Sequence, residues 1–411
     1  MRRLLSLFAT LLMVAGTLLV APVARADTID TDSRKAVSDA YASWLLPALK
    51  TPPGWKGNPA KCLKKPDSDG QPTSAVGSES AAARKATFAA INYYRAMAGL
   101  RPVAENAGYS KLARQAALIM LANDDLSHTP DPDWACYSRQ GAEAAGRSNI
   151  AISWGSSDGA AARSIALYMD DEGDDNAEVG HRRWLLDPSA TEFGTGSTSR
   201  TNAVLVIQDR YPEDAGRPGG GTAWPSAGYF PWETMPNSRR WSYSLPDAVF
   251  DDARVAMTRN GKSLSAKVVA RGDGAGDPAL VWETARVKAP APGAVDLYQV
   301  TITGATAKPI EYQVKVFRAV DVRLKATPKP KISGTARVGK VLTAKAGKWK
   351  PSNVTLSYQW YRAGKKIVGA TGQTYRITGK DKGRTLTVKV TGEAPGYTAK
   401  AQTSKATKKV R

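Results

Sequence analysis

Three consecutive glycines, Gly219-Gly220-Gly221, divide this 411-residue chain into two patterns that cannot share one kind of element. Ahead of them, apolar residues recur at helical spacing; behind them, apolar and polar residues alternate for about a hundred positions. A period near 3.6 puts a stripe on a helix, whereas a period of two puts a face on a strand. The chain must therefore build a helix-bearing part first and β-sheets afterwards, which makes its fold class α+β.

The helical part opens with 31–50, where Val37, Tyr41, Trp44, Leu45 and Ala48 share a face and Pro47 should kink or end the helix near Leu46. A Pro/Lys/Ser/Gly-rich loop carrying Cys62 follows. Ser78 is placed to cap a second helix with the stripe Phe88, Ile91, Tyr94 and Ala98, ended by Gly99. A third carries Leu112, Ala116, Ile119 and Met120. A fourth is expected over 159–172, and a short one over 178–186 stopped by Asp187-Pro188. Residues 202–208, NAVLVIQ, read as a strand. Beyond the glycines, the runs at 239–247, 253–271, 278–287, 296–304 and 310–320, with a turn at Asn260-Gly261, predict an antiparallel β-sandwich over 222–322. The aromatics of AWPSAGYFPWE, Trp224, Tyr229, Phe230 and Trp232, are placed either to cover an opening or to anchor the sandwich to its neighbour.

The first 26 residues read as a secretory signal peptide: Arg2-Arg3, an apolar run from Leu4 to Val20, and the small-residue site Ala24-Arg25-Ala26. No later apolar run reaches about eighteen residues, so no transmembrane segment is expected in the mature chain. Its two cysteines, Cys62 and Cys136, should pair in an oxidising compartment. Such a bond closes a long loop and is worth roughly 4 kcal/mol in the chain-entropy account.

The net charge of +21 sits at one end. Residues 323–411 hold 22 Lys and Arg against Asp381 and Glu393, while residues 27–322 hold 33 basic against 35 acidic residues. A field of that size attracts polyanions. For a secreted, extracellular or wall-associated protein these are anionic cell-wall polymers, teichoic or related, and anionic surfaces. The segment shows none of the patterns of sequence-specific nucleic-acid readers. Lysines that merely keep a sheet edge soluble would explain some of the excess, not twenty charges.

Only two histidines occur, His128 in LSHTPDPDW and His181 in VGHRRWLLDP. The run 170–178, DDEGDDNAE, places six acids just ahead of the second. Imidazole with carboxylate suits zinc, and carboxylates alone suit calcium. The spacing is not that of an EF-hand, since Asp175 stands where glycine is required. WGSSDG at 154–159 carries the G-x-S-x-G spacing but reads as a loop whose serines have no nearby histidine in sequence, and RPGGGTAW lacks the setting of a phosphate loop.

The blocks AINYYRAMAGLRPV (90–103), KLARQAALIMLANDDLSH (111–128), AAGRSNIAI (144–152) and VGHRRWLLDP (179–188) resemble, in order, those of bacterial CAP domains. These are the cysteine-rich secretory protein, antigen 5 and pathogenesis-related 1 superfamily. The resemblance, over about 80–210, implies an α-β-α sandwich with a cleft holding two histidines and two acids, which in some members binds divalent ions. His128 and His181 match the histidines. The family's GEN glutamate falls on Ser148 with Arg147 alongside, and the second acid corresponds to Asp171 or Glu172. Of this chain's residues His128, His181 and Glu172 are then the metal candidates, for Zn or Ca if for any. The LSYQWYRAGKKIVGATGQTYRIT and GRTLTVKVTGEAPGYTA runs resemble bacterial immunoglobulin-like modules, whose Trp349, Tyr358, Trp360 and Tyr375 are expected in or against a core.

The expected organisation is a signal peptide (1–26), an N-terminal helix and Cys62 loop on the CAP domain (27–79), the CAP domain (80–212), a β-sandwich extension (222–322), a linker (323–332) and a basic Ig-like module (333–411). The expected role is a secreted, wall-associated protein that binds a small molecule, lipid or divalent ion in its cleft and is retained by its basic end. Two other readings stay open. One is a metal-dependent hydrolase of wall or extracellular polymer, with Glu172 or Asp171 as third ligand or base. The other is a structural surface protein with a vestigial cleft.

Overall fold

The computed structural model describes residues 28–64, 68–153, 161–211, 220–272, 274 and 276–411. The stretches read from the sequence as a signal peptide (1–26) and as a WGSSDG loop (154–159) lie outside the described residues.

Helix α1 (Arg34–Ala40) is capped by Ser33, whose hydroxyl accepts from the Ala36 N–H. It runs into a π-helical turn, Tyr41–Leu45, and then into α2 (Leu46–Ala48). Pro47 does not end the helix at Leu46. The wider π turn ahead of it accommodates a residue that lacks an N–H and crowds the carbonyl one turn back. After α3 (Thr73–Val76), helix α4 (Ala81–Met97) is capped by Ser80 rather than Ser78, the Ser80 hydroxyl accepting from Ala83 N–H at 3.0 Å. Next come α5 (Ala107–Asn123), α6 (Arg139–Gly146), α7 (Ala162–Asp170) and α8 (Gly180–Leu185).

Four short strands lie between these helices: β1 (Ala104–Glu105), β2 (Ser148–Ile152), β3 (Glu192–Ser197) and β4 (Thr201–Leu205), in the order β1-β3-β4-β2. Only the β1/β3 pair is parallel. The sheet is covered on both faces. Ala203 and Leu205 of β4 pack with Ala113, Ala116, Ile119 and Met120 of α5, whereas Val204 packs with Ile91 and Tyr94 of α4 and Ile165 of α7. Alternation along one strand thus builds an α-β-α sandwich. Gly194 and Gly196 let α5 lie against β3, since a Cβ at either would collide with backbone at Tyr109–Ser110 or Ala113–Arg114. The Cys62–Cys136 disulfide, closing 74 residues, ties the loop after α2 to the stretch between α5 and α6.

Nine strands follow: β5 (Thr222–Trp224), β6 (Gly228–Pro231), β7 (Arg240–Ser244), β8 (Arg254–Arg259), β9 (Lys262–Leu264), β10 (Ala266–Gly272), β11 (Ala279–Thr284), β12 (Val295–Thr303) and β13 (Ile310–Phe317). They form two sheets, β10-β11-β7-β5 and β6-β13-β12-β8-β9. The Asn260-Gly261 turn has positive φ at both residues, as a tight β8–β9 hairpin requires. The sandwich is not wholly antiparallel. The chain crosses from one sheet to the other between β5 and β6, so β6 enters the second sheet parallel to β13. The aromatics of this crossing are anchors: Trp224 is buried edge-on between Tyr94 of α4, at 5.5 Å, and Phe230, at 4.9 Å. One apolar cluster therefore runs from Val37 and Leu45 through α4 and α7 to Trp241, Trp282 and Val314.

The C-terminal module has β14 (Val322–Arg323), β15 (Lys331–Ser333), β16 (Val341–Lys345), β17 (Thr355–Arg362), β18 (Lys365–Lys366), β19 (Thr374–Arg376), β20 (Leu386–Ala394) and β21 (Tyr397–Thr403). Its sheets are β14-β21-β20-β17-β18 and β15-β16-β19, closed over a separate core around Leu342, Trp360, Val388 and Val390. Trp349 and Trp360 are buried there, and Tyr358 and Tyr375 pack against them. Residues 323–332 are no free linker: β14 pairs with β21, Ala326 bridges Lys350, and β15 begins at Lys331. Prolines at 328 and 330 suit such an edge, where no N–H is demanded of them. Among the described residues no helix is long and apolar enough to cross a membrane.

Candidate functional site

The end of α7 sets the site. Asp171 takes a left-handed conformation (φ 53°) just past the helix, which turns its carboxylate inward to 1% exposure. There Oδ1 lies 2.7 Å from Nδ1 of His181, and Oδ2 accepts from the Arg182 N–H at 3.2 Å. The His181 ring leans on Tyr168, centroids 5.5 Å apart, and its carbonyl accepts from Asn149 Nδ2 at 2.9 Å. Across the opening, His128 places Nδ1 2.8 Å from the Ala145 carbonyl. Both partners are acceptors, so each neutral ring carries its proton on Nδ1 and keeps a lone pair on Nε2. The two rings stack, centroids 6.3 Å apart and 28° from parallel. Residues 53 positions apart thus meet on one groove of about 690 Å³.

Ser148 lines the same groove at 4% exposure, and among the described residues its hydroxyl has no hydrogen-bond partner. Arg147 is spent elsewhere. Its Nη2 donates to the Ile207 carbonyl and to Asp209, both at 2.7 Å, while the guanidinium covers the Tyr109 ring. Glu172 is exposed and does not line the groove, because the left-handed turn points Asp171 inward and its neighbour away. The acids at the groove are Asp175 and Glu178, with Trp184 as an apolar wall. They belong to the acidic run and the short helix legible in the sequence, but their facing depends on the loop's path.

That path is fixed from the neighbouring sandwich, which no sequence signal indicated. Ser238 N–H and Asn237 Nδ2 donate to the Asp170 carboxylate at 2.8 and 3.1 Å. Arg240 Nη1 donates to the carbonyls of Asp171 at 3.0 Å and Gly173 at 2.7 Å. In return Arg182, fully buried, reaches the Arg240 carbonyl at 3.0 Å and Ser242 Oγ at 3.2 Å. Burial pulls its guanidinium down to about 10, against the nearby Asp171 and Asp170.

Among the described residues, His128 and His181 by themselves do not complete a zinc site. The anchored Nδ1 atoms are the outer-shell arrangement that metal-bound histidines use. Two imidazole nitrogens, however, fall short of the three protein ligands that zinc takes. Asp171 faces Nδ1, not Nε2, Ser148 offers a hydroxyl in place of an acid, and Glu172 stands outside. Among the described residues no three His, Cys, Asp or Glu side chains converge on one point.

Residues 88–208 match the family model of the cysteine-rich secretory protein family, CAP. This part of the chain is a CAP domain. Every groove residue named above lies within it. No curated protein matches the sequence. Solved structures similar to the chain include titin domains A168–A170 (12% identity, 52% of this chain and 82% of that one, TM-score 0.23). Murine CEACAM1b is another, with 14% identity, 41% of this chain and 90% of that one, and TM-score 0.22. Superpositions this loose add nothing on the CAP groove.

Proposed function

We propose that this is a secreted binding protein. Its CAP groove takes a small polar ligand between His128 and His181, and its basic C-terminal module holds it on anionic polymer outside the cell. The observation that carries the groove reading is the pair of anchored imidazoles beside the orphaned Ser148 hydroxyl. Such a group, desolvated and unpaired, is costly unless a ligand satisfies it. Rim carboxylates and the absence, among the described lining residues, of an uncommitted cation argue for a neutral, hydroxyl-bearing ligand over an anion. The disulfide and the signal-peptide pattern support secretion.

The test is sedimentation with isolated bacterial walls, intact or stripped of their anionic polymers. The full chain is expected to follow intact walls strongly and stripped walls weakly. The H128A/H181A variant should lose the residual binding and keep the polymer-dependent part. A chain that stays in solution with both wall preparations refutes the proposal. The Asp171–His181 pair also has the form of an oriented general base, which favours hydrolysis as the second reading. Calorimetric titration with Zn²⁺ and Ca²⁺ separates the two: micromolar binding lost in H128A/H181A would restore the metal-dependent hydrolase.

A further inference from the structure

We propose that a lysine-lipped groove on the open edge of the C-terminal sandwich is the seat of an extended poly(polyol phosphate) chain. The inference rests on the retention reading above and gives it a location and a chemistry. The groove, about 850 Å³, runs between the segment entering β15 and the segment leaving β21. Lys329 and Lys331 stand on one lip, Lys405 and Lys408 on the other. All four are exposed, and none is ion-paired among the described residues. The module's two acids offer them nothing. Asp381 is buried and taken by Arg362, Tyr375 and Thr378, and Glu393 lies outside the groove.

Three features select the ligand class. Lysine is a point charge suited to phosphate oxygens; the planar fork that reads carboxylates in pairs belongs to arginine, and the lips carry none. Lys329 and Lys331, two residues apart on an extended segment, are about 6.6 Å apart along the chain. An extended phosphodiester–glycerol repeat of six bonds spans a comparable distance. Finally, the apolar residues of the lining are Pro330, Ile332, Ala336 and Ala406, with no aromatic ring among the described lining residues. Grooves that hold single-stranded nucleic acid add rings on which bases stack. A phosphate polymer without bases fits this groove, and a nucleic acid does not.

The experiment measures binding of the full chain to a synthetic glycerol-phosphate oligomer of about a dozen units across a range of NaCl. The groove variant is K329Q/K331Q/K405Q/K408Q. The control, K340Q/K365Q/K366Q/K382Q, removes the same charge from exposed positions elsewhere in the module. The groove variant is expected to lose at least tenfold in affinity at low salt. Its slope of log affinity against log salt should fall by about 3, at ~0.7 per lost phosphate contact. The control should keep most of the affinity. Equal losses in both variants overturn the groove while leaving retention by diffuse charge intact. No binding by the unaltered chain overturns the retention reading itself. Tighter binding to an oligothymidylate of equal phosphate number, lost in the same variant, overturns the ligand class.

Discussion

Glu79 is buried to 3% exposure beside Ser197, just ahead of the α4 cap, and no hydrogen bond of good geometry reaches either carboxylate oxygen. Desolvation pushes its pKa from 4.5 up to about 7, outweighing the opposing pull of Ser197, Arg84 and Arg114. A carboxyl whose folded-state pKa is raised favours the fold most where it is protonated in both states. That stability is complete below about pH 4.5 and is lost as pH rises through about 7. The displacement corresponds to ~3 kcal/mol. Glu79→Gln should therefore flatten the decline in stability between pH 5 and pH 8 and exceed the native protein at pH 8, as read by urea melts. An unchanged pH slope in the variant would show that Glu79 is ionised at little cost. At this scale the sequence was legible in part. The two histidines stood out by rarity, and their neighbouring blocks placed them across one cleft. Asp171 could not be chosen over Glu172, because a single left-handed residue decides which of two adjacent carboxylates turns inward.

At the level of elements, legibility followed exposure. Helices α4 and α5 keep exposed positions in their first turns, so a stripe at the helical period stands out there, although Tyr93–Met97 and Gln115–Met120 are buried all round. Strands β2 and β3 were not read as strands at all. Both are almost wholly buried, and β3 is Glu-Phe-Gly-Thr-Gly-Ser, so no polar face alternates with an apolar one. The glycines there serve contact rather than a turn: α5 crosses β3 so closely that a methyl at Gly196 would meet the backbone at Ala113–Arg114. Backbone cannot yield as a side chain can. Gly196→Ala is expected to cost about 1–3 kcal/mol by overpacking, seen as a lowered melting temperature with the disulfide intact. Gly99→Ala provides the comparison, since nothing lies within 4 Å of a Cβ built there. It carries only the strain of a left-handed residue at an exposed helix end. If Gly196→Ala costs no more than Gly99→Ala, the helix and strand are not held at that distance.

Across the whole molecule, the boundary that composition marks and the boundary that packing marks do not coincide. The glycines at 219–221 separate two patterns, yet the apolar cluster passes straight across them, from Tyr94 to Trp224 and on to Trp241 and Trp282. Polar contacts cross at the same place, with Arg182 feeding the β7 backbone and Arg240 feeding the loop that carries Asp171. Pattern reveals which kind of element forms, but not which elements share a core, since that is set by contacts distant in sequence. The basic module, by contrast, closes its own core around Trp360. It approaches the preceding sandwich where Gly293 lies against Pro395 and Gly396. Calorimetry should therefore resolve two transitions in the full chain. Ending the chain at Arg323 should remove one and leave the other within a few degrees of its place. Ending it at Tyr211 should abolish cooperative unfolding, because it uncovers the Tyr94 face of α4 and strips Arg182 of two acceptors. A cooperative melt from that shorter chain, with His181 still fixed by Asp171, would show that the CAP domain shapes its groove unaided. Its absence would make the β-sandwich a working part of the groove.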